Sequence, residues 1–374
     1  MSSAPPVVPS LAVALPMLNL VPGGMGGTET YTRELLNQFA QRPDVTATAF
    51  VPSNARGFAP NSGEVVLPSF RTGLDMTKRL TTLARAALGG RGIRRLYASA
   101  DVVHYPFTAP LPGPPRRQAW VTTLHDVQHL ELPHLFTKAD LAYRRHYYEG
   151  AARRADAVIT VSEFAKRSLV EHVGIEPERV HVSHLGVDLD KFQPHLGERE
   201  NFLLYPARGW AHKNHSTLIE AVTLLRKSDP SLTLVLTGGN LDSLGQLPEW
   251  VDRRGLVSDL ELQQLYRSAA ALVFPSLYEG FGLPPLEAMA SGCPVAASNA
   301  GSIPEVVGDA AVLFDATDPQ SIASGVTDAL ARAGELAALG LKRAATFTWQ
   351  RCADEHMAVY RKVAEASLAK SAGR

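Results

Sequence analysis

Short apolar runs recur along the chain and alternate with stretches of helical period. The runs are 11–18 (LAVALPML), 46–51 (TATAFV), 102–105 (VVHY), 120–125 (WVTTLH), 157–162 (AVITVS), 201–207 (NFLLYPA), 232–238 (LTLVLTG), 271–276 (ALVFPS) and 294–298 (PVAAS). Each is strand-length and near-continuously apolar, the pattern of a strand covered on both faces. Between them, TYTRELLNQFA puts Tyr31, Leu35, Leu36 and Phe39 on one helical face. VSDLELQQLYRSA opens with Ser258 and has Glu261 three residues later, a capping box. This alternation predicts α/β architecture, parallel sheets with helices on both faces. Such sheets hold ligands at the carboxyl ends of their strands.

The pattern divides in two. A first unit covers 11–190, a polar linker 191–201, and a second sheet starts at Phe202 and runs to 347. The helical pattern over 348–374 is long, has little after it to pack against and is expected to cross back to the first unit. The start, MSSAPPVVPS (1–10), reads as a disordered lead-in without a signal peptide's basic region and apolar core. A length of 374 residues suits two domains. The formal net charge of zero argues against nonspecific nucleic-acid binding. Cys293 and Cys352 offer no disulfide framework or metal knuckle. No apolar run is long enough to span a membrane, so a cytoplasmic enzyme is expected.

Three stretches carry candidate chemistry. PGGMGGTETYTREL (22–35) ends a strand, places glycines at 23, 24, 26 and 27, and opens a helix near Thr28. A tight turn and an anion cradle both satisfy that pattern. It lacks the Lys-Ser/Thr of a P-loop and the glycine spacing of a dinucleotide fold. YPARGWAHKNHSTLIEA (205–221) delivers Arg208 and Lys213 to a loop just before a helix. Two cations beside helical N–H groups can grip a diphosphate without a metal, and a solvated basic turn is the plainer alternative. His212 and His215 have metal-like spacing but no third ligand nearby.

SLYEGFGLPPLEAMASGCPV (276–295) holds Glu279 ahead of Pro284 and Pro285, and Glu287 beyond them. The prolines suit a helix's first turn, so Glu279 falls in a loop and Glu287 in a helix. A fully helical span would separate the two by ~12 Å, against about 5 Å for a retaining glycosidase's carboxylates. The pair reads as a clamp for a ligand with hydroxyls at both ends and negative charge between, the layout of a nucleotide sugar.

This segment resembles the Glu-x7-Glu motif of retaining nucleotide-sugar glycosyltransferases of the GT-B fold, which have two facing Rossmann-like domains. It is most similar to family 4, the glycosyl transferases of group 1, with many mannosyl-, glucosyl- and rhamnosyltransferases. GGMGGTETYTREL, LHDVQHLELPHLFTKADLAYRRHYYEGAARRADAVITVSEFAKRSL, HLGVDLDKF, YPARGWAHKNHSTLIEA and SGCPVAASNAGSIPEVVGDAAVLFD resemble that family in order and spacing, covering about 11 to 365. The resemblance implies that Glu279 holds donor-sugar hydroxyls and Glu287 the ribose. It implies that Phe281, Gly282 and Leu283 offer N–H groups to sugar and phosphate, and that Arg208 and Lys213 neutralise the leaving diphosphate. Gly26 and Gly27 would close over the phosphates, His125 of TLHD would contact the donor sugar, and Val257 joins the donor-binding set. Asp126 is left without a firm role.

The implied activity is a metal-independent, retaining transfer of a hexose to a saccharide or lipid-linked hydroxyl, without a cofactor. HKNHSTLIEA is similar to polysaccharide mannosyltransferases, which favours GDP-mannose as donor. His129 and His134 follow His125, yet neither a cysteine nor a His-Glu-x-x-His order accompanies them as zinc would require. The segment 71–97 carries Arg71, Lys78, Arg79, Arg85, Arg91, Arg94 and Arg95 against Asp75, with Leu80, Leu83 and Leu88. It suits either a peripheral contact with anionic membrane at its cytoplasmic face or a solvated helix. A nucleotide-sugar epimerase and a non-catalytic sugar-nucleotide sensor are the alternatives on this fold. The presence of both glutamates and both cations weighs against the sensor.

Overall fold

The computed structural model describes residues 10–73, 76–107, 109–115 and 117–372. The lead-in over 1–10 therefore lies, save for Ser10, outside the described residues, as does Asp75. Two all-parallel sheets form. The first is built from β1 (Leu11–Pro16), β2 (Val45–Pro52), β3 (Gly63–Leu67), β4 (Val102–Tyr105), β5 (Ala119–Thr123), β6 (Ala157–Thr160) and β7 (Val180–Val182). Its order is β3-β2-β1-β4-β5-β6-β7. The second is built from β8 (Glu200–Pro206), β9 (Thr233–Thr237), β10 (Val251–Gly255), β11 (Ala269–Phe274), β12 (Val295–Ser298) and β13 (Val312–Phe314), in the order β10-β9-β8-β11-β12-β13. In each, the chain reverses its direction of growth beside the first strand, between β1 and β4 and between β8 and β11. Such switch points open a crevice at the strands' carboxyl ends.

The apolar runs correspond to the inner strands, each flanked by two others. β3, β7, β10 and β13, which the runs did not reveal, are the four sheet edges. β10, VDRRG, is exposed over its middle three residues, so it has no apolar run to show. β8 also begins at Glu200, two residues inside the stretch read as linker. There Glu200 pairs with Ala269 on the neighbouring strand.

The helix Trp349–Ala372 packs on the first sheet and buries Cys352, His356 and Tyr360. Tyr360 Oη lies 2.6 Å from His104 Nδ1, and Tyr31 Oη lies 2.7 Å from His356 Nε2 and 2.9 Å from Thr123 Oγ1. The chain thus crosses between the sheets twice, and the crossings run side by side. Val187 N–H donates to Phe347 O at 3.0 Å. A Cβ on Gly186 would stand 2.3 Å from Trp349 N, so only glycine fits there.

Candidate active site

The loop after β11 and the helix Leu283–Ala290 carry both glutamates of the clamp. Pro284 and Pro285 occupy the helix's first turn, and Gly282 stands ahead of it at φ 128°, a conformation only glycine adopts freely. Tyr278 and Phe281 are buried and anchor the loop. The Glu279 carbonyl accepts from Ser302 N–H (3.2 Å) and Ser302 Oγ (3.0 Å). Its side chain accepts from Lys213 Nζ, and the two side chains are only 15% and 14% exposed. The reading that gave Lys213 to phosphate and Glu279 to sugar thus meets a structure in which they are ion-paired.

Lys213 reaches Glu279 because two loops are stitched together. Tyr205 Oη donates to Lys213 O (2.7 Å) and lies 3.1 Å from Ser276 Oγ, while Leu277 N–H donates to His212 O (2.8 Å). Asn214, left-handed at φ 60°, donates its side-chain amide to Pro275 O and Ala316 O and starts the helix His215–Leu225. Neither Tyr205 nor Asn214 was singled out from sequence. Their partners lie up to 102 residues away, beyond any local pattern. His212 and His215 gather no metal set, and burial pushes both imidazoles down to about 4.

Arg208 follows β8 and reaches across to the glycine loop, where Nη2 donates to Gly23 O at 3.4 Å. Gly26 has φ 59°, and a Cβ there would lie 3.9 Å from Arg208 Nε. A Cβ on Gly27 would meet Leu283 Cδ1 at 3.5 Å. Gly26, Gly27, Arg208 and Leu283 are therefore brought together. The loop is less open to anions than its glycines imply, because Gly23 N–H already donates to Glu29, at 2.9 Å to Oε2. The helix starts at Gly27.

His125 stands two residues past the end of β5, edge-on to the Tyr31 ring at 5.0 Å. Its Nε2 is buried without a hydrogen-bond partner. Burial pushes the imidazole down to about 4, against opposing pulls from Asp126 and the Pro106 carbonyl. It is a neutral group at pH 7. Asp126 is committed to its own turn, accepting from Gln128 N–H at 3.0 Å. A Cβ on Gly280 would lie 2.6 Å from His125 O, so the glutamate loop touches the first sheet's side at this point.

Glu287 has separate company. Tyr266 Oη donates to its Oε2 at 2.8 Å. Burial raises its carboxyl above the ordinary value, opposed by the Tyr266 hydroxyl and by Lys191. Tyr266 sits on the helix Asp259–Ser268, whose Ser258 cap accepts from Glu261 N–H at 3.1 Å. Val257 is half-buried in the turn just before that cap. His129 is buried 3.5 Å from Glu149, whereas His134 is exposed in a separate turn. Among the described residues no three of His, Cys, Asp or Glu are placed to hold a metal ion.

Residues 71–97 include the helix Met76–Leu96. Leu88 is 90% exposed, Arg91, Arg94 and Arg95 are exposed, and a groove of about 580 Å³ runs between Pro68–Phe70 and the helix. Among the described residues no helix is long and apolar enough to cross a membrane.

With this geometry in place, the likeness to known proteins is specific. The profile described as "Glycosyltransferase Family 4" matches residues 25–191, and "Glycosyl transferases group 1" matches residues 187–346. The chain is 30% identical over 293 residues to O-antigen chain mannosyltransferase B of Escherichia coli, covering 72% of this chain and 77% of that one. In structure it is similar to sucrose-phosphate synthase from Thermosynechococcus elongatus (TM-score 0.76, 21% identity, 95% and 100% of the two chains). It is also similar to Anabaena HepE in complex with UDP and glucose (TM-score 0.70, 18% identity, 94% and 100%). Two facing parallel-sheet domains of GT-B type, profile matches that together cover residues 25–346 and a relative covered over most of its length converge: the chain belongs to the group 1 glycosyl transferases of family 4.

Proposed function

We propose that this glycosyltransferase moves a hexose from a nucleotide-diphosphate sugar, with GDP-mannose favoured, to a hydroxyl of a saccharide or lipid-linked acceptor, with retention and without a metal. The observation that carries the reading is the Lys213–Glu279 pair at the carboxyl ends of β8 and β11, with Arg208 nearby and facing the glycine loop. A donor supplies a partner for each member. A phosphate oxygen takes the Lys213 ammonium, and sugar hydroxyls donate to the freed Glu279 carboxylate. Arg208 and Lys213 then balance the charge that grows on the leaving diphosphate, which is the largest demand of the step. Glu287 accepts from the ribose, Val257 lines the donor, and Gly26, Gly27, Phe281, Gly282 and Leu283 surround sugar and phosphates. Neutral His125 offers an imidazole to the sugar. The attacking hydroxyl enters on the face the diphosphate leaves, and the phosphate accepts its proton.

The mannosyltransferase relative supports the sugar, and the UDP-and-glucose complex supports a nucleotide-sugar ligand for the fold. Exposed Leu88 among Arg91, Arg94 and Arg95 supports a peripheral contact with anionic lipid at the cytoplasmic face. The test is a thermal-shift screen with GDP, UDP, dTDP and their sugars, followed by transfer assays with and without EDTA. A bound ligand raises Tm by mass action, so GDP and GDP-mannose should give the largest shifts, and transfer should survive chelation. A shift from UDP-sugars alone would overturn the donor. Loss of transfer in EDTA, restored by magnesium, would overturn the cation clamp.

A further inference from the structure

The segment Gly301–Val307 joins the glutamate loop to the first domain, and its Glu305 has no part in the proposed chemistry. At one end, a Cβ on Gly301 would lie 2.8 Å from Glu279 O and 2.9 Å from Glu279 N. Beside it Ser302 holds the Glu279 carbonyl. At the other end Glu305 reaches over to the first domain. Its Oε1 accepts from Glu163 N–H (2.8 Å) and lies 2.8 Å from His184 Nε2, and its Oε2 accepts from Phe164 N–H (3.0 Å). Ser162 Oγ adds a bond to Gly280 O at 2.7 Å, and the Phe164 and Tyr278 rings meet edge to face at 5.6 Å. Arg343 fixes this arm from behind, donating to Glu305 O (2.6 Å) and Val306 O (2.9 Å).

We propose that Glu305 is a positioning residue: a latch that holds the two domains closed and, through Ser302, sets where the Glu279 carboxylate stands relative to His125. The chemistry suits a latch. A carboxylate has acceptor capacity for three donors, and the first N–H groups of a helical segment favour negative charge. Burial works against the charge, but His184 and the two amides outweigh it and hold the carboxyl below its ordinary value. The contact joins residues 142 positions apart and lies outside the diphosphate clamp, so closure and donor grip are separable.

The inference rests on the proposed role of Glu279, and its test has a readout that does not. Glu305→Ala and Glu305→Gln are compared with the unaltered chain by small-angle X-ray scattering, by nucleoside-diphosphate calorimetry and by transfer kinetics. Gln keeps the volume but leaves one carbonyl for three donors, which covers the case in which the Ala variant does not fold. The expected result is a larger radius of gyration, nucleoside-diphosphate affinity within about twofold, and kcat reduced about tenfold to a hundredfold, the cost of a small misplacement of reacting groups. His184→Gln, which keeps a donor, should retain most of the closed population seen with His184. Unchanged scattering in both Glu305 variants overturns the latch whatever the activity. Equal losses of kcat and nucleotide affinity also overturn it, because they indicate general damage. If the scattering changes but no hexose is transferred even by the unaltered chain, the latch stands and the proposed activity falls.

Discussion

The two walls of the cleft are built from opposite materials. The second domain contributes charge: Arg208, Lys213, Glu279, Glu287 and Glu305 all come from the loops and helices around β8, β11 and β12. The first domain contributes backbone and neutral groups: the glycine loop, the two amides at Glu163 and Phe164, and an uncharged His125. If the proposed function holds, the difference teaches that grip and completion fall to different domains. On the proposed reading the cations Arg208 and Lys213 attract the polyanion at long range, whereas carboxylates, N–H groups and an imidazole work only in contact, after the walls meet.

The largest effect should come from the charged wall. Lys213→Ala and Arg208→Ala should each cut turnover by about tenfold to a thousandfold, as expected for one charge-stabilising group. Lys213→Ala also leaves Glu279 without its partner, so it should be the worse of the two. Normal steady-state turnover in both would break the comparison at its base.

Gly280→Ala tests the meeting of the walls without touching a charge. Its Cβ would fall 2.6 Å from His125 O, so the walls must part by a fraction of an ångström. A loss of about a hundredfold in kcat is expected, with nucleoside-diphosphate affinity retained in calorimetry. A fall in that affinity instead would mean that the first domain grips as well as completes.

A finer division lies within the charged wall. Glu279→Gln should weaken the full donor while sparing nucleoside diphosphate, which has no sugar to lose. Glu287→Gln should weaken both by roughly 1.5–3 kcal/mol, about tenfold to a hundredfold. Equal weakening of nucleoside diphosphate by the two variants would erase the division.

The last effect concerns pH, and it is read in stability rather than in turnover. Burial pushes His125 and His356 on one side, and His212 and His215 on the other, down to about 4. An unfolded imidazole takes up its proton near 6.5. Between those values the unfolded chain binds more protons, so stability present above pH 6.5 is lost as the pH falls toward 4. Tm measured across that window should decline, and His356→Gln should make the decline shallower. A flat profile would show that these rings titrate in the fold as they do in the unfolded chain.

How much of this was legible depended on where each residue finds its partners. Strands flanked on both sides advertise themselves by near-continuous apolar runs, because most of their side chains are buried. All four unmarked strands stand at sheet edges; β10 tolerates Asp252, Arg253 and Arg254 there and so resembles a loop, while β7 (VHV) and β13 (VLF) are too short, at three residues each, to stand out as runs. The glutamates were legible because local rules about proline and helix starts placed them. Lys213 and Glu279, 66 positions apart, could be named individually, but their pairing could not. Glu305 lies within SGCPVAASNAGSIPEVVGDAAVLFD, where nothing local shows that its side chain meets amides at Glu163 and Phe164. The bond from Gly23 to Glu29 is local, but a Glu at the third helical position ordinarily reaches back to the cap's own N–H, and here it reaches three residues further.

The paired crossings at Gly186 have a mechanical consequence. One strand of chain between two bodies acts as a swivel, free to bend and to twist. Two strands bonded side by side, Val187 to Phe347 with Gly186 pressed on Thr348 and Trp349, act as a strap. A strap folds readily across its width and resists torsion. Any parting of the walls would bend this strap rather than twist it, and so would return Gly280 to the same place against His125. Gly186, far from any reacting atom, thereby keeps the two halves in register.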